Sequence, residues 1–197
     1  MMLAQRARAY ERKFPTRPPM QLVDEGGHDV IYGRWLIGAD YRNKTAFYGA
    51  YPNGFLDRVM AMFPDVPGAL TLHAFSGSLP PGDYTRLDLN PDRRPDVIGS
   101  VYDVAKLFKK QAGFRLVIAD PPYSAADAVK YDTPMINRGR ATRALAGIVR
   151  PGGHLVWLDT VWPMFSKDLW RTVGRIALTR STNHRLRDVT IFERTAA

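Results

Sequence analysis

The chain predicts an α/β fold with a mostly parallel sheet, and three features carry that prediction. From residue 69 onward, short apolar runs alternate with turns and helical stretches. One of these runs, residues 115–119, reads as a buried parallel strand and ends abruptly in Asp120-Pro121-Pro122-Tyr123. The last two runs, 175–180 and 188–194, read as strands joined by the segment 181–187.

The elements follow in order. Residues 4–13 have helical character, either as a short basic helix or as a frayed tail, and Pro15, Pro18 and Pro19 stop any continuation. Asp24-Glu-Gly-Gly-His28 reads as a turn, and 30–37 as a strand with Trp35 buried. Residues 47–55 are aromatic and glycine-rich. They lead into 56–63, where Leu56, Val59, Met60 and Phe63 have helical spacing. Strands are expected at 69–75, 84–89, 95–98, 115–119 and 154–158. Helices are expected at 104–111, at 142–149 ahead of the Pro151-Gly-Gly breaker, and briefly at 169–172. Residues 124–140 read as irregular, and the domain plan is an N-terminal arm over 1–47 followed by one domain over 48–197.

Bulk properties narrow the class. A chain of 197 residues supports one substantial core and is short for two. It has no cysteine, which removes disulfides, zinc fingers and thiol chemistry, and its four histidines do not stand at metal-ligand spacing, so no metal is expected. No apolar run is long enough for a membrane span, and the basic start lacks the apolar core of a secretory signal; with no cysteine, a cytoplasmic location is the default expectation, and other locations are compatible with it. The net charge of +9 points to a polyanionic partner such as nucleic acid, although an arginine-rich composition alone also produces such a charge.

Asp120-Pro121-Pro122-Tyr123 carries the chemistry. Open α/β sheets bind ligands at the carboxyl edge of their strands. There the motif places one acceptor, two prolines of fixed φ and one aromatic ring. An Asp side chain and a proline-held carbonyl can accept the two N–H bonds of an amine whose lone pair is otherwise delocalised into a base, while the tyrosine stacks on that base. A plain Asp-Pro turn after a strand is the competing reading.

This motif resembles the catalytic motif of class I S-adenosylmethionine-dependent amino-methyltransferases, which methylate adenine N6, cytosine N4 or guanine N2. The resemblance spans residues 69–194. It implies a Rossmann-like methyltransferase sheet, mostly parallel, closing in a C-terminal antiparallel hairpin whose last strand inserts into the sheet. It also implies S-adenosyl-L-methionine as cofactor, with Asp120, Pro121, Pro122 and Tyr123 as catalytic residues.

On the cofactor side, Thr71-Leu-His-Ala-Phe-Ser-Gly-Ser-Leu79 resembles the family's first motif, with Phe75, Ser76, Gly77 and Ser78 matching. His73 stands where an acidic residue is usual, and Leu79 where a second glycine is usual. Only residues 76–83 separate the first two strands of this region, so the first crossover helix of the fold is expected to be missing or replaced by a tight loop. The resemblance further assigns Asp88 to the ribose hydroxyls with Asn90 assisting, Asp103 to the adenine amine with Val104 beside the ring, and Tyr48, with Tyr51 and Gly54 in the same segment, to the methionine end. Helix capping is an equally simple role for Asp103, and an aromatic loop covering the core explains Tyr48 as well.

For the substrate, the segment after the motif offers Ser124 and Tyr131 as pocket residues and Arg138 and Arg140 as phosphate contacts, against the alternative of a solvated basic face. The chain has no room for a long target-recognition region. A low-specificity DNA methyltransferase acting on adenine N6 is the leading expectation. An RNA enzyme reading shape, an enzyme targeted by a partner subunit or acting as a homo-oligomer, and an inactive methyltransferase-like nucleic-acid-binding protein remain alternatives.

Overall fold

The structure is a computed structural model, and it describes residues 1–38, 51–109, 113–130, 133–181 and 185–196. Its elements are α1 (Leu3–Lys13), β1 (Gln21–Asp24), β2 (Asp29–Ile37), α2 (Phe55–Met62), β3 (Thr71–Ala74), β4 (Thr85–Asp88), β5 (Val97–Ile98), α3 (Val104–Leu107), β6 (Phe114–Ala119), α4 (Ala125–Lys130), α5 (Arg138–Ala146), β7 (Val149–Asp159), β8 (Trp170–Arg180) and β9 (Arg187–Arg194). No helix among the described residues is long and apolar enough to cross a membrane.

All nine strands join one sheet in the order β1-β2-β8-β9-β7-β6-β3-β4-β5. The run from β7 through β5 is parallel. β9 is inserted antiparallel between β7 and β8. This is a Rossmann-like, mostly parallel sheet, with the final strand where the resemblance implies it. β2 adds to β8 in parallel and carries β1 as an antiparallel edge. The chain lays down strands outward from β3 to β5, then returns to β6 on the other side of β3, so the strand order reverses between β3 and β6, the point at whose carboxyl edge open α/β sheets bind ligands.

The central strand explains the layering. In β6, Leu116 and Ile118 pack into one apolar core, with Trp35, Phe55, Met62 and Val156. Phe114, Val117 and Ala119 pack into the other, with Leu145, Trp157 and Trp170. A strand buried on both faces must be largely apolar, as this one is. In α2, Phe55, Val59 and Met62 recur on one helical face and bury it. α1 is a formed helix rather than a frayed tail, and its Tyr10 stacks on Trp35 at 5.9 Å.

Two expectations are corrected here. Residues 169–172 are not helical: Trp170 opens β8, whose register against β9 fixes it as a strand. Residues 124–140 are not irregular throughout, because they hold α4 and the start of α5.

The shortened crossover is present. Residues 75–84 connect β3 to β4 in parallel without a helix, and residues 89–96 connect β4 to β5 with only one 3-10 turn, over Pro91–Arg93. Parallel neighbours usually need about a dozen connecting residues, mostly helical. Here two side chains of β4 do the bracing. Arg86, 5% exposed, binds Asp96 through Nε and Nη2 at 3.1 and 2.8 Å and the Leu79 carbonyl through Nη1 at 3.0 Å. The Arg86 hydrogen bond holds the Asp96 carboxyl below its ordinary value. Asp88 accepts from the Gly77 and Asn90 backbone N–H groups at 2.8 and 2.9 Å. Each side chain thus ties both loops to one strand. Arg86→Ala is expected to cost about 2–3 kcal/mol, the worth of charge-assisted bonds to partly buried groups, read as a lower midpoint in urea unfolding.

Candidate active site

The carboxyl ends of β3 and β6 bring the two sequence motifs together. β6 ends at Ala119, and Asp120-Pro121-Pro122-Tyr123 forms the turn beyond it. β3 ends at Ala74, paired with Ala119 in register, so Phe75–Gly77 start alongside Asp120. Phe75 has φ of 59°, a strained value for a side-chain-bearing residue, and Gly77 follows with φ of 52°. The Ser76 hydroxyl is buried and has no hydrogen-bond partner. A backbone bent in this way, holding an unmet polar group, suits close approach of a ligand.

Asp120 is partly buried. Burial pushes its carboxyl up to about 7, against the opposing pull of the Tyr123 hydrogen bond and the Arg187 charge. Tyr123 donates its hydroxyl to Asp120 Oδ1 at 2.6 Å. The guanidinium carbons of Arg185 and Arg187 lie 5.6 and 5.4 Å from its ring centroid. The expectation of a ring offered freely to a base therefore gives way to a different geometry: Tyr123 holds the carboxylate and is flanked by cations.

The turn is fixed from behind. The Asp159 carboxylate, fully buried at the end of β7, receives Arg138 Nε at 2.7 Å and Nη2 at 3.1 Å. It also accepts from Trp157 Nε1 and from the Thr160 backbone N–H. Arg138 Nη2 reaches the Tyr123 carbonyl at 3.1 Å. Arg138 is therefore not a free phosphate contact but a positioning residue. Nothing in the motif reading marks Asp159; its place at the end of an apolar run is the signal the sequence offers.

A third group sits beside Asp120. Tyr51 donates to the Ile118 carbonyl at 3.3 Å and meets His73 Nδ1 at 3.2 Å. The His73 ring also packs edge-on to Tyr84 at 4.6 Å. Burial pushes His73 down to about 4, so it is neutral near pH 7. The Tyr51 hydroxyl is pushed well up, first by burial and then by the Asp120 and Asp88 charges.

The remaining candidates divide. Asp88 spends one lone pair of each oxygen on the Gly77 and Asn90 N–H groups and keeps acceptor capacity on both. Asn90 caps the following 3-10 turn through Asp92 N. Asp103 makes no capping bond. It faces solvent in an ion pair with Lys106 at 3.4 Å, which leaves its carboxylate open to a ligand. Val104 is wholly buried in the core, so its side chain presents no surface to an adenine ring. Ser78 is partly exposed in the Gly77 turn. Ser124 caps α4, bonded to Asp127, and Arg140 lies over the Tyr102 ring at 4.3 Å. Tyr48 and Tyr131 fall outside the described residues.

No protein-family model matches the chain, and no curated protein matches it in sequence. Solved structures similar to it include TrmN from Thermus thermophilus, at 15% identity, 74% of this chain, 50% of the other and a TM-score of 0.46. They also include the N-methyltransferase NodS from Bradyrhizobium japonicum WM9, at 15%, 64%, 85% and 0.39, and the M. jannaschii tRNA m1G37 methyltransferase, at 12%, 92%, 58% and 0.41. The chain thus spans about half of TrmN. At such distances the fold assignment rests on the strand order above.

Arg138→Gln leaves the Asp159 carboxylate buried without its cation. A loss of about 2–4 kcal/mol is expected in urea unfolding, and most of it should return in the double variant with Asp159→Asn.

Proposed function

We propose that the chain is an S-adenosylmethionine-dependent methyltransferase acting on an exocyclic amine of a nucleobase, with adenine N6 in DNA as the first target. The observation that carries this reading is the Asp120 carboxylate, held by Tyr123 at the carboxyl end of β6 and beside the bent Phe75–Gly77 turn. A carboxylate whose pKa lies near neutrality is suited to proton chemistry at a working pH near 7.

The residues fit the cofactor. Ser76 offers an unmet buried hydroxyl, Gly77 a close-approach turn, and Asp88, at the end of β4, and Asp103, after β5, carboxylates with acceptor capacity. When bound, S-adenosylmethionine supplies an activated methyl group. Asp120 and the Pro121 carbonyl accept the amine's two N–H bonds and draw its lone pair out of the ring. The target amine displaces the Tyr123 hydroxyl from Asp120 Oδ1. Asp120 then takes the proton that the nitrogen sheds when it forms its new bond to carbon. Asp159 and Arg138 hold the Tyr123 carbonyl, and with it the end of the turn, in place throughout. The net charge of +9 favours a nucleic acid over a free amine as the partner, and a base within a duplex must be flipped out to reach Asp120.

The test is transfer of labelled methyl groups to paired and unpaired DNA and RNA. Asp120→Ala is expected to abolish transfer while cofactor affinity stays within a few-fold, and unchanged turnover would remove Asp120 from the mechanism. The pH profile follows from the same carboxyl. Below about pH 7 it is protonated and stops accepting, so kcat/KM is expected to fall as acid is added.

The stability effect has the opposite sense. The folded-state value lies above the ordinary carboxylate value, so folding takes up a proton and stability is lost as pH rises from about 4 to 7. Asp120→Asn is therefore expected to stabilise the protein at pH 8 by about 1–3 kcal/mol relative to pH 4. Thermal unfolding at the two pH values measures it.

A further inference from the structure

Arg187 is the residue the proposed chemistry leaves unexplained. It opens β9, is 7% exposed, and carries a guanidinium whose Nε and Nη1 are buried without hydrogen-bond partners. It sits over the Tyr123 ring, one residue away from the carboxylate that the target amine must reach. Guanidinium groups stay charged, and although this one is hydrogen-bonded to the Tyr123 side chain, its unmet Nε and Nη1 donors suit it to an anionic oxygen. Its charge acts on Asp120, but that carboxylate already receives Tyr123.

Arg187 also lines a cleft of about 190 Å³ with Thr160, Trp162, Arg175, Leu186 and Asp188. Asp188 is engaged there by Arg175 Nη2 at 3.0 Å and by the Thr190 hydroxyl at 2.7 Å. The Arg175 guanidinium lies 3.8 Å from the Trp162 ring centroid, yet Trp162 remains 47% exposed. Its neighbours Val161 and Met164, and Leu186 across the cleft, are exposed as well. An exposed indole backed by arginine is a stacking platform for an unpaired base. The Asp120–Tyr123 pair and this platform meet at one residue, Arg187.

We propose that Arg187 binds the phosphodiester joining the target nucleotide to its neighbour, and that the cleft receives the neighbouring base against Trp162. The ligand is then an unpaired polynucleotide strand threaded over the carboxyl edge, with target base, phosphate and next base read in sequence. This rests on Asp120 being the amine site.

The test is equilibrium binding, without cofactor, of a short unpaired adenine-containing oligonucleotide and of the same strand with one neutral methylphosphonate linkage beside the adenine. The native protein is expected to bind the neutral strand roughly 10-fold more weakly, in line with loss of a charge-assisted contact. Arg187→Gln should bind both strands equally, and Arg187→Lys should keep part of the difference. Trp162→Ala should weaken the oligonucleotide several-fold without changing the affinity for adenosine monophosphate.

If no linkage near the adenine matters to the native protein, or if Arg187→Gln retains the full difference, the proposal is overturned. Since the native comparison needs no variant, a misfolded Arg187→Gln does not remove the test. Equal competition by acetate and by inorganic phosphate would point to a general anion site and also overturn it. Binding of S-adenosylmethionine, measured separately, tells failure of this site from failure of the enzyme reading.

Discussion

The buried Asp159 carboxylate holds the carboxyl edge of the sheet together. It sits at the end of β7 with no exposure, takes the forked guanidinium of Arg138, and through that arginine grips the Tyr123 carbonyl. A charge this deeply buried is tolerated only when paired and hydrogen-bonded, and Trp157 and Thr160 complete the set. The pair thereby ties the end of β7, the start of α5 and the turn after β6 into one unit. The two prolines stiffen that turn, but Arg138 and Asp159 decide where it points. Asp120 then inherits a fixed position, and its partial burial gives it a raised pKa.

On the other side of β3 the sheet has dispensed with a helix. The crossovers into and out of β4 are short loops, and their order comes from Arg86 and Asp88, two side chains spaced to emerge on one face of the same strand. A helix terminus would bring its dipole to a cofactor. This chain offers instead a strained Phe75, a glycine turn and a free buried hydroxyl on Ser76. Asp88 serves twice under the proposed function: it shapes the turn with one set of lone pairs and has a second set left for a ribose.

Much of this is legible in the residues. Strands buried on both faces show as largely apolar runs, so β6 after Arg115 and the second half of β7 can be located from the amino-acid order alone, and Asp-Pro-Pro-Tyr marks the carboxyl end of β6. The missing helix is legible because Pro80-Pro81-Gly82 cannot form one. β1 is not, since all four of its residues are exposed and carry no alternation of burial. The start of β8 is not either, because Trp170 to Thr172 fits a helix as readily as a strand until β9 supplies hydrogen bonds. Side-chain roles are hardest. Arg138, Arg140 and Arg187 look alike in sequence, yet one grips a buried acid, one lies on a tyrosine ring and one keeps unmet donors. Only contacts between residues far apart in the chain distinguish them.

The central claim is that this helix-free edge still holds S-adenosylmethionine, and calorimetric titration with that compound and with S-adenosylhomocysteine tests it most directly. Micromolar binding of both, weakened at least about tenfold in Asp88→Ala, is the expected result. No binding at millimolar ligand by the folded protein, with and without an oligonucleotide, would contradict it and leave the fold as a scaffold for binding nucleic acid.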